Sequence, residues 1–281
     1  MYYKLLNLQK EPFSTSPDPV FFYRSTAHNT ALQRLEIAVR LRRGLSLIMG
    51  DVGTGKTTLS RALLQSFRDE EDFLFYMMLD PNHKSEFEFL TVLVKMMGIT
   101  PLFRSTLDYK EAIEKFLFKK GVQEDKTVVL LIDEGQKLSP ALLEILRTLL
   151  NYETNEHKLL QLVIMSQMEI LPRLKKIRNF SDRISLKYII NPLDEEETKE
   201  MIKFRLYQAG HNSEKELFSE EAVKLIYAYT QGYPRRIANL CHNALESLVM
   251  RECDLVDRDI ISSLIREETE LGLINAEQYQ S

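Results

Sequence analysis

The chain has 281 residues, of which 44% are hydrophobic and 28% charged, with a formal net charge of −4. That length and apolar content allow one large domain, or a medium domain with a small one attached, and a core that needs no disulfide or metal staple. The acidic balance excludes a strongly basic nucleic-acid binder as the default reading, and the two cysteines, Cys241 and Cys253, fit no zinc or redox spacing.

Two thiols in a chain this long read as reduced and cytosolic, with Cys241 a buried small side chain. The opening MYYKLLNLQKEPF lacks the basic start and apolar run of a secretory signal. The longest apolar runs, 73–79 and 128–132, fall far short of the ~20 residues a membrane helix needs. The expectation is a cytoplasmic chain that neither spans a membrane nor leaves the cell by itself.

In chain order, residues 1–25 are rich in Pro, Ser and aromatics and read as an extended arm packed on a domain surface. Phe13, Phe21, Phe22 and Tyr23 fit a packed arm better than a binding surface. A helix follows over 26–43, with Leu32, Leu35 and Val39 on one face. Five short apolar runs come next, at 45–49, 73–79, 128–132, 161–165 and 184–190. Most show little polar alternation, as strands covered on both faces should. Helical patterns at 56–68, 87–97, 109–119 and 140–150 separate them. The alternation predicts an α/β domain over 26–191, a five-stranded parallel sheet flanked by helices. After Pro192 only helical patterns remain, at 195–209, 219–230, 234–251 and 257–270. Asp194 and Glu197 form an N-cap pattern at the boundary. Residues 192–281 are therefore expected to be a small all-helical domain with a C-terminal tail.

Residues 50–57 read Gly-Asp-Val-Gly-Thr-Gly-Lys-Thr, the G-x-x-x-x-G-K-[ST] phosphate loop. An apolar run precedes it and an amphipathic pattern follows, the strand and helix that the motif requires. Gly50, Gly53 and Gly55 let the backbone turn its N–H groups onto a phosphate. Asp51, Val52, Thr54 and Thr58 complete the stretch around the nucleotide. Lys56 is placed to reach the β and γ phosphates and Thr57 to offer a hydroxyl to Mg²⁺. The following helix turns its positive end to the same anion. ATP and Mg²⁺ are the expected ligands.

Residues 128–134 read VVLLIDE, a buried strand that ends in two carboxylates. A parallel strand delivers its C-terminal end to the ligand crevice. Asp133 would hold Mg²⁺ or its waters, and Glu134 would act as general base on the attacking water.

GDVGTGKTT, LLIDEGQKLS, LLQLVIMSQMEIL and GYPRRIANLCHNAL together resemble the AAA+ ATPases of the ExeA type, the general-secretion and pilus-assembly ATPases. The opening KEPFSTSPDPVFFYRSTAHNTALQRL is similar to that group's, and the resemblance runs from about residue 2 to 265. It implies a P-loop AAA+ fold with a helical lid and a homo-oligomer. It gives Ser166 or Gln167, Gln167 by preference, the place of the polar residue that helps position the attacking water. It gives Arg235, in Gly-Tyr-Pro-Arg, a contact with the γ phosphate, the alternative being a surface ion pair. An arginine finger for a neighbour's ATP falls to Arg183, with Arg178 second. His28 takes either a contact with the base or a capping or packing role; neither it nor His157 is placed as a metal ligand. Gly135 stands where the family carries a small alanine, a change expected to be tolerated. The family's membrane helix and peptidoglycan-binding domain are not expected in these residues.

The resemblance implies a cytoplasmic motor or switch for secretion-system or pilus assembly, with a protein partner from that machinery. The alternative is a DNA-linked ATPase of the transposition-regulator type. It is suggested by the run 173–187, which carries six basic residues and one acid, Asp182. DNA is the lesser expectation, since the net charge is negative and no helix-turn-helix signature is present. A nucleotide-binding scaffold without hydrolysis fits less well, because Glu134 is intact.

Overall fold

The computed structural model describes residues 1–16, 18–100, 105–177, 179–213 and 215–270. The chain forms two compact units. One comprises Thr26–Val52 and Lys56–Ile190; the other joins Met1–Ser25 and the loop residues Gly53–Gly55 to the chain from Asn191 onward. In chain order the elements are α1 (Tyr2–Leu5), α2 (Thr26–Arg40), β1 (Leu45–Gly50), α3 (Lys56–Ser66), β2 (Phe73–Met78), α4 (Glu86–Met96), α5 (Thr106–Phe118), β3 (Thr127–Ile132), α6 (Pro140–Leu149), β4 (Leu160–Ser166), α7 (Leu171–Lys176), β5 (Ile184–Ile190), α8 (Glu195–Gln208), α9 (Glu220–Thr230), α10 (Pro234–Met250) and α11 (Arg258–Glu270).

In the first unit the five strands form one parallel sheet in the order β2-β3-β4-β1-β5. Every residue of β1, β3 and β4 is buried. Their continuous apolar runs have the composition that two covered faces demand. β5 departs from the expectation of full cover. It is an edge strand, and Ser185, Lys187 and Ile189 are exposed between partly covered neighbours. β2, at the other edge, is also only partly buried. The helices are started by local chemistry. Ser85, Ser105 and Ser139 each accept a hydrogen bond from the third residue on, and Pro140 occupies the first turn of α6.

Two elements differ from the sequence reading. α2 stops at Arg40 instead of continuing to residue 43, because Arg42 turns left-handed (φ 49°). Its guanidinium then reaches the Thr127 hydroxyl at 2.9 Å, His157 Nε2 at 2.8 Å and the Asp125 carbonyl at 3.0 Å. α7 was not expected at all; Pro172 stands in its first turn.

The second unit buries its own core, including Leu193, Ile202, Leu206, Ile226, Ile237 and Leu245. Asp194 and Glu197 close a capping box at the start of α8, each accepting from the other's backbone N–H. Residues 1–25 belong to this unit and are not simply extended: α1 opens the chain and Pro19–Phe21 makes a single tight turn. Phe13 and Phe21 enter the helical core. Tyr2 and Glu11 both meet His242 Nδ1, at 3.0 and 3.1 Å. Arg205 is half-buried beside the arm and donates to the Ser14 carbonyl at 3.2 Å; desolvation pulls its pKa down. Burial pushes the Cys241 thiol up, as its apolar surroundings require, while Cys253 is exposed.

Gly232 is the tightest backbone position of this unit. It has φ +72°, its carbonyl accepts from the Leu193 N–H at 2.9 Å, and an added Cβ would lie 1.8 Å from the Leu193 carbonyl oxygen. Gly232→Ala combines left-handed strain with that clash and should destabilise the helical unit by more than about 2 kcal/mol, read as a lower denaturation midpoint.

Candidate functional site

β1 ends at Gly50, and the chain then turns through Gly53 (φ 84°) and Gly55 (φ 93°) before α3 begins at Lys56. Positive φ at two alternate positions is the backbone demand that glycine meets without strain. Lys56 is only 8% exposed, and its ammonium donates to the Gly50 carbonyl at 2.8 Å and the Asp51 carbonyl at 2.7 Å. One turn of α3 thus carries both a nearly buried cation and, at Thr57, a hydroxyl.

That hydroxyl donates to Asp133 Oδ2 at 2.7 Å. Asp133 follows β3, is 3% exposed, and takes the Glu134 N–H on Oδ1 at 2.9 Å. Both carboxylate oxygens are therefore oriented by the protein's own donors. A hydroxyl and a carboxylate in contact are hard oxygen donors of the kind Mg²⁺ uses alongside phosphate oxygens and waters. No group of three or more His, Cys, Asp or Glu able to hold a metal occurs among the described residues.

Glu134 has φ 53° and ψ 37°, a left-handed conformation that costs a non-glycine residue about 1–2 kcal/mol. The turn Gly135–Lys137 then lies directly on β4. A Cβ at Gly135 would come within 2.4 Å of Ile164 Cγ2 and 3.1 Å of the Met165 carbonyl oxygen. The Gln136 amide donates to Glu134 Oε2 at 2.7 Å. Its Oε1 accepts from the Gln167 N–H at 3.1 Å and from the Ser166 hydroxyl at 3.4 Å.

The residues singled out in the sequence are distributed unevenly. Lys56, Thr57, Asp133 and Glu134 gather at the C-terminal edge of the sheet. At the end of β4, Gln167 meets this group through its backbone N–H, and Ser166 is fully buried with its hydroxyl also on the Gln167 carbonyl at 3.0 Å. Arg183 lies just before β5, at the opposite edge, and its Nε is buried with no hydrogen-bond partner. Gly50 pairs with Ile190 at the far end of β5. A strand rises about 3.3 Å per residue, which puts Arg183 ~20 Å from the loop of its own chain. Arg235 stands in the first turn of α10 in the helical unit and is exposed. Arg178 lies outside the described residues. His28 is buried in α2.

Two contributors escaped the sequence reading. In sequence Gln136 reads as an ordinary turn residue, and Arg173 as part of the basic run 173–187. The Arg173 guanidinium is instead turned inward, donating to the carbonyls of Gln136 and Leu138, the latter at 2.9 Å. Only the Gln two places after the acid pair could have signalled the first, and nothing local signals the second. The close packing of Gly135 gives a direct test. Gly135→Ala must displace the buried Ile164 and should cost roughly 1–3 kcal/mol of stability, measured as a lower unfolding midpoint.

Comparison with known proteins bears on the fold and the family. An AAA-domain family model matches residues 39–174. The chain is 35% identical over 254 residues, 87% of its length, to general secretion pathway protein A of Aeromonas hydrophila, of which it spans 44%. Among solved structures, it is similar to the Aeropyrum pernix ORC2 protein in ADPNP–ADP complexes (TM-score 0.64, 14% identity, 95% of this chain and 75% of that one). The Thermotoga maritima RuvB Holliday junction branch migration motor is also similar (TM-score 0.55, 16% identity, 85% of this chain and 68% of that one). At such identities these structures show the fold alone. The chain spans less than half of the secretion protein, so what that whole protein does is not carried over with the likeness. A family match through the heart of the phosphate-binding unit, with a relative that aligns with 87% of the chain, makes the chain similar to the AAA+ ATPases of the ExeA type.

Proposed function

We propose that this chain hydrolyses ATP with Mg²⁺ and acts, as a cytoplasmic homo-oligomer, as an accessory switch or motor in secretion-system or pilus assembly. The observation that carries the chemistry is the contact between Thr57 Oγ1 and Asp133 Oδ2 at 2.7 Å, one residue from Lys56 and one from Glu134. The secretion role is supported by the relative from Aeromonas hydrophila.

Lys56 and the loop around it, Gly50 to Thr58, bind the triphosphate; Lys56 takes the β and γ phosphates. Thr57 and Asp133 hold Mg²⁺, which when bound offsets the negative charge on the phosphates. Glu134 accepts a proton from a water as its oxygen bonds to the γ phosphorus. The bond from that phosphorus to the bridging oxygen breaks, leaving ADP and inorganic phosphate. At the end of β4, Gln167 helps place the water, and Arg235 contacts the γ phosphate. Arg183, distant from its own loop, serves a neighbour's ATP. The DNA-linked alternative loses one of its six basic residues, because Arg173 is already committed to two backbone carbonyls.

Binding and chemistry separate by mutation. Lys56→Ala should lose binding of a fluorescent ATP analogue. Glu134→Gln should keep that binding and lose about 10²–10⁴ in steady-state turnover. Equal turnover in Glu134→Gln and wild type would remove the general base.

The trans role of Arg183 is tested by mixing. Arg183→Ala and Lys56→Ala should each be nearly inactive, because a finger contributes about 10³–10⁵ in rate in other NTPases. Their mixture should regain part of the activity wherever an intact loop meets an intact finger. A mixture that forms mixed oligomers and stays inactive would count against the assignment.

A further inference from the structure

We propose that Gln136 is a positioning residue: its side-chain amide holds the Glu134 carboxylate in register with the end of β4. The inference rests on the hydrolysis reading above and adds a residue to it. The orientation of the amide is determined by its partners. A backbone N–H can only donate, so the Gln136 atom facing the Gln167 N–H at 3.1 Å is the oxygen. The Ser166 hydroxyl lies 3.4 Å from the same atom and shares its one proton with the Gln167 carbonyl at 3.0 Å. The NH₂ group is thereby turned to Glu134 Oε2, at 2.7 Å.

The main chain of Gln136 is fixed as well. Gly135 lies against Ile164 and Met165 of β4 with no room for a side chain. On the other side, the Arg173 guanidinium from α7 grips the carbonyls of Gln136 and Leu138. Backbone and side chain of one residue are thus tied to β4 and α7, while its free amide end carries the carboxylate. Glu134 projects from a strained left-handed position, and without this bond its side chain would sample several rotamers. A neutral donor suits the task. It occupies one carboxylate oxygen and leaves the other to a water, whereas a cation there would hold the acid as an ion pair. Any shift at the end of β4, where the γ phosphate would be sensed, also reaches the base through this single amide.

The test uses Gln136→Leu, which keeps the bulk and removes both hydrogen bonds, in the full-length protein. Affinity for a fluorescent ATP analogue should stay at the wild-type value while kcat falls by about 10- to 100-fold, the loss expected of a misplaced base. The double variant Glu134→Gln/Gln136→Leu should be no slower than Glu134→Gln alone, because the amide acts through the carboxylate. A purely structural role would multiply the two losses. Gln136→Glu retains the acceptor for the Gln167 N–H, and with it the packing; it should also turn over slowly, with a melting temperature close to wild type, and it decides the matter if the leucine variant unfolds. Wild-type turnover in both Gln136 variants, or a loss that multiplies on Glu134→Gln, overturns the positioning role and leaves the hydrolysis reading standing. Absence of turnover in the wild type itself overturns both.

Discussion

The parallel register of three buried strands is the constraint on which the phosphate-binding unit depends. Met49 of β1 lies opposite Ser166 of β4, and Ile132 of β3 opposite Ile164. Those pairings bring Gly50, Asp133 and Gln167 to one edge of the sheet. A slip of β3 by a single residue would turn Asp133 to the other face and away from Thr57. Beyond the Thr127 hydroxyl held by Arg42 at its first residue, the strand is apolar. What resists the slip is shape: Val128 to Ile132 are all fully buried, with Val128, Leu130 and Ile132 packed in one core cluster. The apolar interior therefore aims the polar site, and the hydrogen bond from Thr57 to Asp133 is the result of that alignment.

Much of this was legible in the chain. The phosphate loop, the acid pair and all five strands follow from local patterns, since strand, loop and helix there are dictated by neighbours in sequence. What escaped depends on partners far along the chain. Arg42 ends α2 early because Thr127 and His157 lie 85 and 115 residues away. β5 looks in sequence like a covered strand, and only the sheet order makes it an edge. α7 is marked only by Leu171-Pro172, a weak signal after a strand. Gln136 reads as an ordinary turn residue until β4 and Arg173 are brought beside it.

Arginines illustrate why charge counted along a sequence misleads about surfaces. Arg42, Arg173 and Arg205 each direct guanidinium N–H groups at main-chain carbonyls, of Asp125, of Gln136 and Leu138, and of Ser14. A planar cation with five donors can satisfy several carbonyls that irregular turns leave over. Used in this way it acts as a strut within its unit and contributes little to an outer field. The basic run 173–187 loses its first member for this reason.

The helical unit is assembled from both sides of the phosphate-binding unit in the sequence, with Phe13 and Phe21 packed among helices that begin after Asn191. On a ribosome the arm emerges before the sheet, and its partners emerge only after the whole sheet has been made. Until then its aromatic side chains have no core to enter, and such exposed apolar segments are where nascent chains are open to aggregation and to chaperone capture. The sheet unit, continuous apart from three loop residues, has no such wait. Synthesis therefore imposes an order on this molecule: the nucleotide-binding half can mature while the other half is still two separated pieces, and the long loop between those pieces slows their meeting.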